Sequence, residues 1–274
     1  MGAGKIFALL LVLFGLTSPA LAQEGERPYL RDENQFGRPA DDFSLSFCVD
    51  PRDPSWEVDK EIGEAIAQAL LLEPKPFVIE STAIDTDDAQ LYRYLLKDCR
   101  IHFGFKLLAQ GIPNWLTVTR PIYESGYIFL VQDKSIDKLA DIPAGKGVAS
   151  TLGTTADLRL IQFNNSRPSA DKWRRLPYST DEAAIRAVLS GEAETALVWA
   201  PTFSQLQKAN ADFAALKVID PQPLVLPGVP VGAVLLAEDT YLRVNIDRAI
   251  GELVADGTID EILKKHGLEG QTKP

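Results

Sequence analysis

The sequence is poor in the residues that hold metals and redox centres. It has two cysteines, two histidines and one methionine in 274 residues. That excludes a structural zinc site and a c-type haem, which need more ligands of these types. The methionine is Met1, so no thioether is left inside the chain to ligate copper or haem. Positive charge is also short. There are 28 Lys and Arg against 38 Asp and Glu, for a formal net charge of -10. Such an acidic chain repels phosphate backbones, so no nucleic-acid partner is expected. Familiar catalytic motifs are absent too. No G-x-S-x-G elbow occurs, and no G-x-G-x-x-G follows a strand pattern. Gly2-Ala3-Gly4-Lys5 and Ala144-Gly145-Lys146-Gly147 both lack the P-loop spacing. No cofactor and no metal is expected; an α/β-hydrolase reading fails and a dinucleotide site is unsupported.

What is present begins with a targeting pattern. Lys5 precedes an apolar run from Ile6 to Phe14, Pro19 breaks it, and Ala20-Leu21-Ala22 fits the A-x-A cleavage pattern. The run is too short to span about 30 Å of hydrocarbon. Residues 1–22 are therefore read as a signal peptide cleaved after Ala22, with a periplasmic product. No membrane insertion is expected after cleavage. Residues 23–43 are polar and Gly/Pro-containing, a flexible leader. Export permits a disulfide between Cys48 and Cys99; two buried free thiols are the plain alternative.

The remainder is ordinary globular sequence, 46% hydrophobic and 24% charged. Ser44–Asp50 alternates as a strand does. From Val58 to Leu72, Ile62, Ile66 and Leu70 recur every fourth position and predict an amphipathic helix. Phe77–Glu80 reads as a strand, Asp87–Lys97 as a helix and Ile101–Phe105 as a third strand. This β-α-β-α-β order predicts a parallel sheet. A second block follows, with strands at Gly126–Val131, Gly147–Ser150, Thr195–Trp199 and Val218–Ile219. Ser179 with Glu182 reads as a capping box. A proline-punctuated connector leads to a strand at Val231–Leu236 and helices at Thr240–Leu253 and Asp260–Lys265. The late connector allows the C-terminal part to return to the first block, which would put a hinge over a cleft.

Open α/β sheets bind ligands at the C-terminal edges of their strands. Asp50 and Trp56 follow the first strand, Phe105 and Lys106 end the third, and Trp199 ends a strand of the second block. The aromatic side chains are as readily core as cleft lining. Gly153-Thr154-Thr155 stands between a strand and a helix, where backbone N–H groups hold anions; an ordinary N-cap is the simpler reading. His102 reads as a packing histidine within a strand, and His266 suits a helix C-terminus. The acidic runs at 85–88 and Asp181-Glu182 read as helix N-terminal charges.

Several short segments then carry a resemblance. They are Ile62-Gly63-Glu64-Ala65-Ile66, Thr119-Arg120-Pro121-Ile122-Tyr123, Gly153-Thr154-Thr155 and Asp256-Gly257-Thr258-Ile259-Asp260-Glu261-Ile262-Leu263. In order and spacing they resemble the bacterial extracellular solute-binding proteins of family 3. The resemblance implies a two-lobed α/β periplasmic binding protein type II fold with a hinge and an inter-lobe cleft. Lobe 1 would comprise 44–126 and 230–267, lobe 2 would comprise 127–229, and 268–274 would be a tail. The cleft-lining residues implied are Asp50, Trp56, Phe105, Lys106, Tyr127, Thr154, Thr155 and Trp199.

The α-amino-acid binders of this family use an Arg after the third strand for the ligand carboxylate. They use an Asp ending a second-lobe strand for the amino group. Here no Arg lies between Arg100 and Arg120, and Trp199 stands in place of the Asp, so a zwitterion's charges would be poorly paired. A narrower resemblance is to the MxaJ/XoxJ type, binding-protein-like components associated with PQQ-dependent methanol dehydrogenases. It is carried by Cys48-Val49-Asp50-Pro51, Lys97-Asp98-Cys99, the 119–129 segment and Val198-Trp199-Ala200-Pro201. It implies a non-enzymatic accessory whose partner is a PQQ-dependent dehydrogenase or its cytochrome c. The alternative is an ABC-importer binding protein for a small polar or aromatic solute that is not a standard amino acid, with a permease as partner. A third and weaker reading is a cyclohexadienyl dehydratase-like enzyme, which would also need the missing carboxylate clamp.

Overall fold

The computed structural model describes residues 43–80, 87–108, 112–268 and 270–272. The expected signal peptide and all but the last residue of the expected leader lie outside these residues. So do Asp85 and Thr86 of the first acidic run and residues 269, 273 and 274 of the tail. Strand β1 (Ser44–Val49) leads into helix α1 (Trp56–Ala69), β2 (Glu73–Val78), α2 (Asp88–Lys97) and β3 (Ile101–Lys106). β1 pairs in parallel with β2 on one side and β3 on the other, as the alternation of strands and helices predicts. Two short strands follow, β4 (Leu116–Val118) and β5 (Tyr123–Ser125).

The chain then builds a second sheet. Its elements are β6 (Tyr127–Val131), β7 (Gly147–Thr151), α3 (Thr155–Ser166), β8 (Arg174–Tyr178), α4 (Asp181–Leu189), β9 (Thr195–Trp199), α5 (Ala200–Ala209) and β10 (Lys217–Ile219). The strand order is β10-β6-β9-β7-β8. Finally β11 (Val229–Leu236) returns to the first sheet, followed by α6 (Thr240–Ala255) and α7 (Thr258–Lys265). β11 runs antiparallel to β3, β4 and β5, so the first sheet is mixed rather than purely parallel.

The pleat sorts side chains to two faces. Leu45, Phe47 and Val49 of β1 face a core with α1, α6 and α7. Cys48 faces the other way, to Leu91 and Leu95 of α2. On α1 the buried stripe is Val58, Ile62 and Ile66. A Cβ on Gly63 would lie 2.7 Å from the Phe47 ring, so glycine lets this helix sit close on the sheet. The second sheet is likewise covered on both faces, by Leu160 of α3 and by Ile185 and Val188 of α4. Cys48 and Cys99 form a disulfide with Cα atoms 5.5 Å apart.

Several local expectations are corrected. β2 starts at Glu73 and ends at Val78, earlier than expected, and contains Pro74 and Pro76. It is the edge strand, where a missing N–H that faces solvent costs no ladder bond. The capping box at Ser179 does not form. Thr180 is the N-cap, and its hydroxyl accepts from Ala183 N at 3.2 Å. β11 begins at Val229 and runs through Pro230, a residue expected in the connector. β4, β5 and β8 are strands that the sequence pattern does not predict.

The disulfide closes a loop of 51 residues. Replacing both cysteines by serine is expected to cost about 2–4 kcal/mol, read from urea unfolding of the variant beside the oxidised parent. Coincident unfolding curves would contradict it.

Candidate functional site

A bulge sets the geometry of the cleft. The β3–β11 register shifts between Gly232 and Ala233, leaving Gly104 as the extra residue with φ +82°. A Cβ there would meet Asp59 Oδ2 at 2.8 Å, so glycine is required on both counts. Bulges re-aim the side chains that follow them. Ile101 and Phe103 face the α1 side, but after the bulge Phe105 packs on the disulfide side. Lys106 is thereby turned back toward the cleft.

There it meets a residue from the second sheet. Trp199 ends β9, is 3% exposed, and belongs to the same apolar cluster as Phe47, Ile122 and Tyr123 of the first sheet. The ring of Trp199 thus packs between the second sheet and the first core. Lys106 Nζ lies 4.3 Å from its ring centroid, and Tyr127 packs edge-on with centroids 5.0 Å apart. Burial pulls the Lys106 amine below its ordinary range, opposed by the carboxylates of Asp53 and Asp181. Asp181 is held at the start of α4 by the Thr202 hydroxyl at 2.9 Å, the Trp199 N–H at 3.3 Å and the Thr151 hydroxyl. A second inter-sheet contact lies further along the cleft, where Lys208 of α5 donates to the carbonyl of His266.

Beside Trp199 is a hollow of about 370 Å³. Leu107, Tyr127, Thr155, Arg159 and the connector from Leu226 to Pro230 line it. The Tyr127 hydroxyl meets those of Thr155 and Thr154, and burial raises its pKa. Thr154 caps α3, accepting from Asp157 N at 3.1 Å. Buried Asp157 accepts two bonds from Arg175 at 2.7 Å and one from Ser150 at 2.7 Å. It also accepts from Gly153 N at 3.2 Å, which ties the turn to the helix. Burial alone would raise the Asp157 carboxyl, but Arg175, Ser150 and Gly153 outweigh it and hold it below the ordinary range.

A separate recess of about 440 Å³ lies in the first sheet's edge, lined by Asp50, Asp53, Asp59, His102, Phe105 and Lys106. Arg52 engages Asp50, with Nε 2.8 Å from Oδ1. Burial lowers the pKa of His102, which suits the packing role read from its strand. Asp59 is buried, accepts from Tyr123 OH at 3.4 Å, and has an Oδ2 with no partner among the described residues.

The structure therefore brings Lys106, Tyr127, Thr154, Thr155 and Trp199 together. Asp50 and Phe105 lie in the acidic recess. Trp56 is half-buried at the start of α1 against the first core. Sequence reasoning passes over Asp53 and Arg159 and takes Asp181 as a helix charge only. Asp181 does stand in the first turn of α4, and nothing local marks its second role.

Burial raises Asp59 well above the ordinary carboxylate range; Asp53 adds to this and the Tyr123 bond opposes it. The folded protein thus holds the Asp59 proton to a higher pH than the unfolded chain does. Its contribution to stability is present below about pH 4 and is lost as pH rises above it. Asp59→Asn should accordingly be more stable than the parent at pH 7, with the difference shrinking toward pH 4. Identical pH dependence in thermal unfolding would refute the assignment.

No family model matches the chain, and no curated protein matches it. Solved structures do. An ancestral cationic amino acid solute-binding protein superposes with a TM-score of 0.60 at 18% identity, covering 81% of this chain and 94% of that one. A histidine kinase sensor domain with similarity to periplasmic binding proteins gives 0.59 at 14%, covering 84% and 98%. An arginine third transport system periplasmic binding protein from Legionella pneumophila gives 0.57 at 13%, covering 82% and 99%. At such identities the likeness concerns architecture. The chain has the two-lobed α/β fold of the type II periplasmic binding proteins.

Proposed function

We propose that this protein is a non-enzymatic, exported solute-binding protein of the kind that delivers a small molecule to an ABC permease. The lobes are 44–126 with 230–267, and 127–229. The observation that carries this reading is the hollow beside Trp199, walled by both sheets and by the connector between them. Its volume suits a small metabolite. Several of the similar structures are binding proteins for amino acids by their own descriptions.

The lining defines the solute class. The walls are mostly apolar, with the hydroxyls of Tyr127 and Thr155 and the guanidinium of Arg159 at one side. Among the described residues no acidic side chain lines the hollow, so a ligand ammonium would lack a partner there. The solute is a molecule with an apolar or aromatic body and one acidic end, not a standard amino acid. Among the described residues, no helix is long and apolar enough to cross a membrane, in keeping with a protein that works in the periplasm. An accessory role for a PQQ-dependent dehydrogenase rests on the short sequence segments alone. The solute-sized hollow favours the importer-type reading.

The test is a thermal-shift screen of small carboxylates, aromatic acids and neutral controls. A saturable rise in Tm that follows RT ln(1 + [L]/Kd) for an acid supports the reading. Arg159→Ala should then weaken that acid about tenfold to a hundredfold, the range for a lost charged hydrogen bond. A flat screen together with co-purification of a quinoprotein dehydrogenase would overturn it.

A further inference from the structure

Beside the hollow, a lysine of the first sheet meets a tryptophan of the second. One ring contacts the Lys106 ammonium and two carboxylates act on it through space. The Trp199 ring forms a floor 4.3 Å away, well inside the distance at which an aromatic face attracts a cation. Asp53, from the β1–α1 loop of the first lobe, and Asp181, from the second lobe, are the carboxylates that act on it. Asp53 shares the acidic recess with Lys106, and Asp181 accepts from the Trp199 N–H, so an aromatic face with negative charge in its neighbourhood receives the ammonium. Here the ammonium belongs to the protein.

We infer that Lys106 is a resident ligand: its ammonium fills an inter-lobe cation subsite made by Trp199, Asp53 and Asp181, so that the lobes close without solute and ammonium-bearing solutes are shut out. The geometry requires the bulge at Gly104, which turns Lys106 toward Trp199. It also requires Trp199 to reach across from the second sheet into the first core. Lys106 is thereby a specificity-determining residue. This role rests on the solute-binding reading and deepens it, since a self-filled cation subsite leaves the neighbouring hollow to an acid or a neutral molecule.

The experiment removes the resident group and supplies it from outside. Lys106→Ala deletes three methylenes and the ammonium, the shape of n-propylammonium. The variant is titrated with n-propylammonium chloride, with sodium chloride at equal ionic strength as control. Tm and tryptophan fluorescence are followed, with the parent protein run in parallel. The expected result is a saturable rise in Tm and a fluorescence change in Lys106→Ala alone, lost again in Lys106→Ala/Trp199→Leu. Equal responses in propylammonium and sodium chloride, or a parent that responds as strongly as the variant, would overturn the inference. If the alanine variant does not fold, Lys106→Met keeps the stem and removes the charge. X-ray scattering should then show a larger radius of gyration than the parent, and an unchanged radius counts against the inference. None of these readouts uses the natural solute, so a failed solute screen on the parent protein and a failed rescue of the variant are distinguishable results.

Discussion

Strand β11 lies between β3 on one side and β4 and β5 on the other, so the first sheet is complete only after the chain has built the second. That constraint shapes the rest of the molecule. The chain must cross between sheets once at Gly126, between β5 and β6, and again through the connector after β10. With two neighbouring crossings, few dihedrals would need to change for one body to rotate on the other. The crossings also furnish one wall of the hollow, through Leu226 to Pro230. Fold and hollow share this origin.

The bulge at Gly104 then decides what the cleft contains. Without it, strict alternation would put Phe105 on the α1 side and Lys106 on the disulfide side. With it, a cation arrives over an indole that the second sheet has inserted into the first core. A cation–π contact of this kind contributes about 0.5–2 kcal/mol depending on desolvation. Opening the lobes would give up that contact and expose the Trp199 ring, now 3% exposed. The contact between the two sheets is therefore held in part by the protein's own side chains.

Much of the fold was legible in the sequence because periodicity reports burial. Ile62 and Ile66 mark the face of α1, and the alternation at Ser44–Val49 marks β1. What escaped was structure without a period. β4 and β5 are three residues each, too short to alternate. β8 is an edge strand, Arg-Arg-Leu-Pro-Tyr, whose charges and proline read as loop. β2 was placed late for the same reason, since Pro74 and Pro76 are tolerated only because the edge leaves their N–H positions facing solvent. At the site, Thr154, Thr155, Tyr127, Lys106 and Trp199 were legible as strand ends and helix starts. Asp53, Arg159 and Asp181 were not. Their roles come from the meeting of segments far apart in the chain, and a bulge that reverses alternation leaves no mark on hydropathy beyond one glycine.

The charge balance of the cleft follows from these pieces. The protein is acidic, with a formal net charge of -10, yet the cleft does not offer free negative charge to a solute. Asp181 is bonded to Thr202 and Thr151 and acts on Lys106; Asp53 also acts on Lys106, and Asp50 is taken by Arg52. Asp157 is taken by Arg175. What remains directed at the hollow is Arg159, with the hydroxyl-bearing start of α3 beside it. Long-range attraction of a cation to the acidic surface would therefore end at a cleft whose anionic groups are already engaged. An acid would be repelled at a distance, within a screening length of about 10 Å, but paired on arrival. Under the proposed solute-binding role, selectivity is set inside the hollow, where charge is poorly screened, and not by the surface the solute meets first.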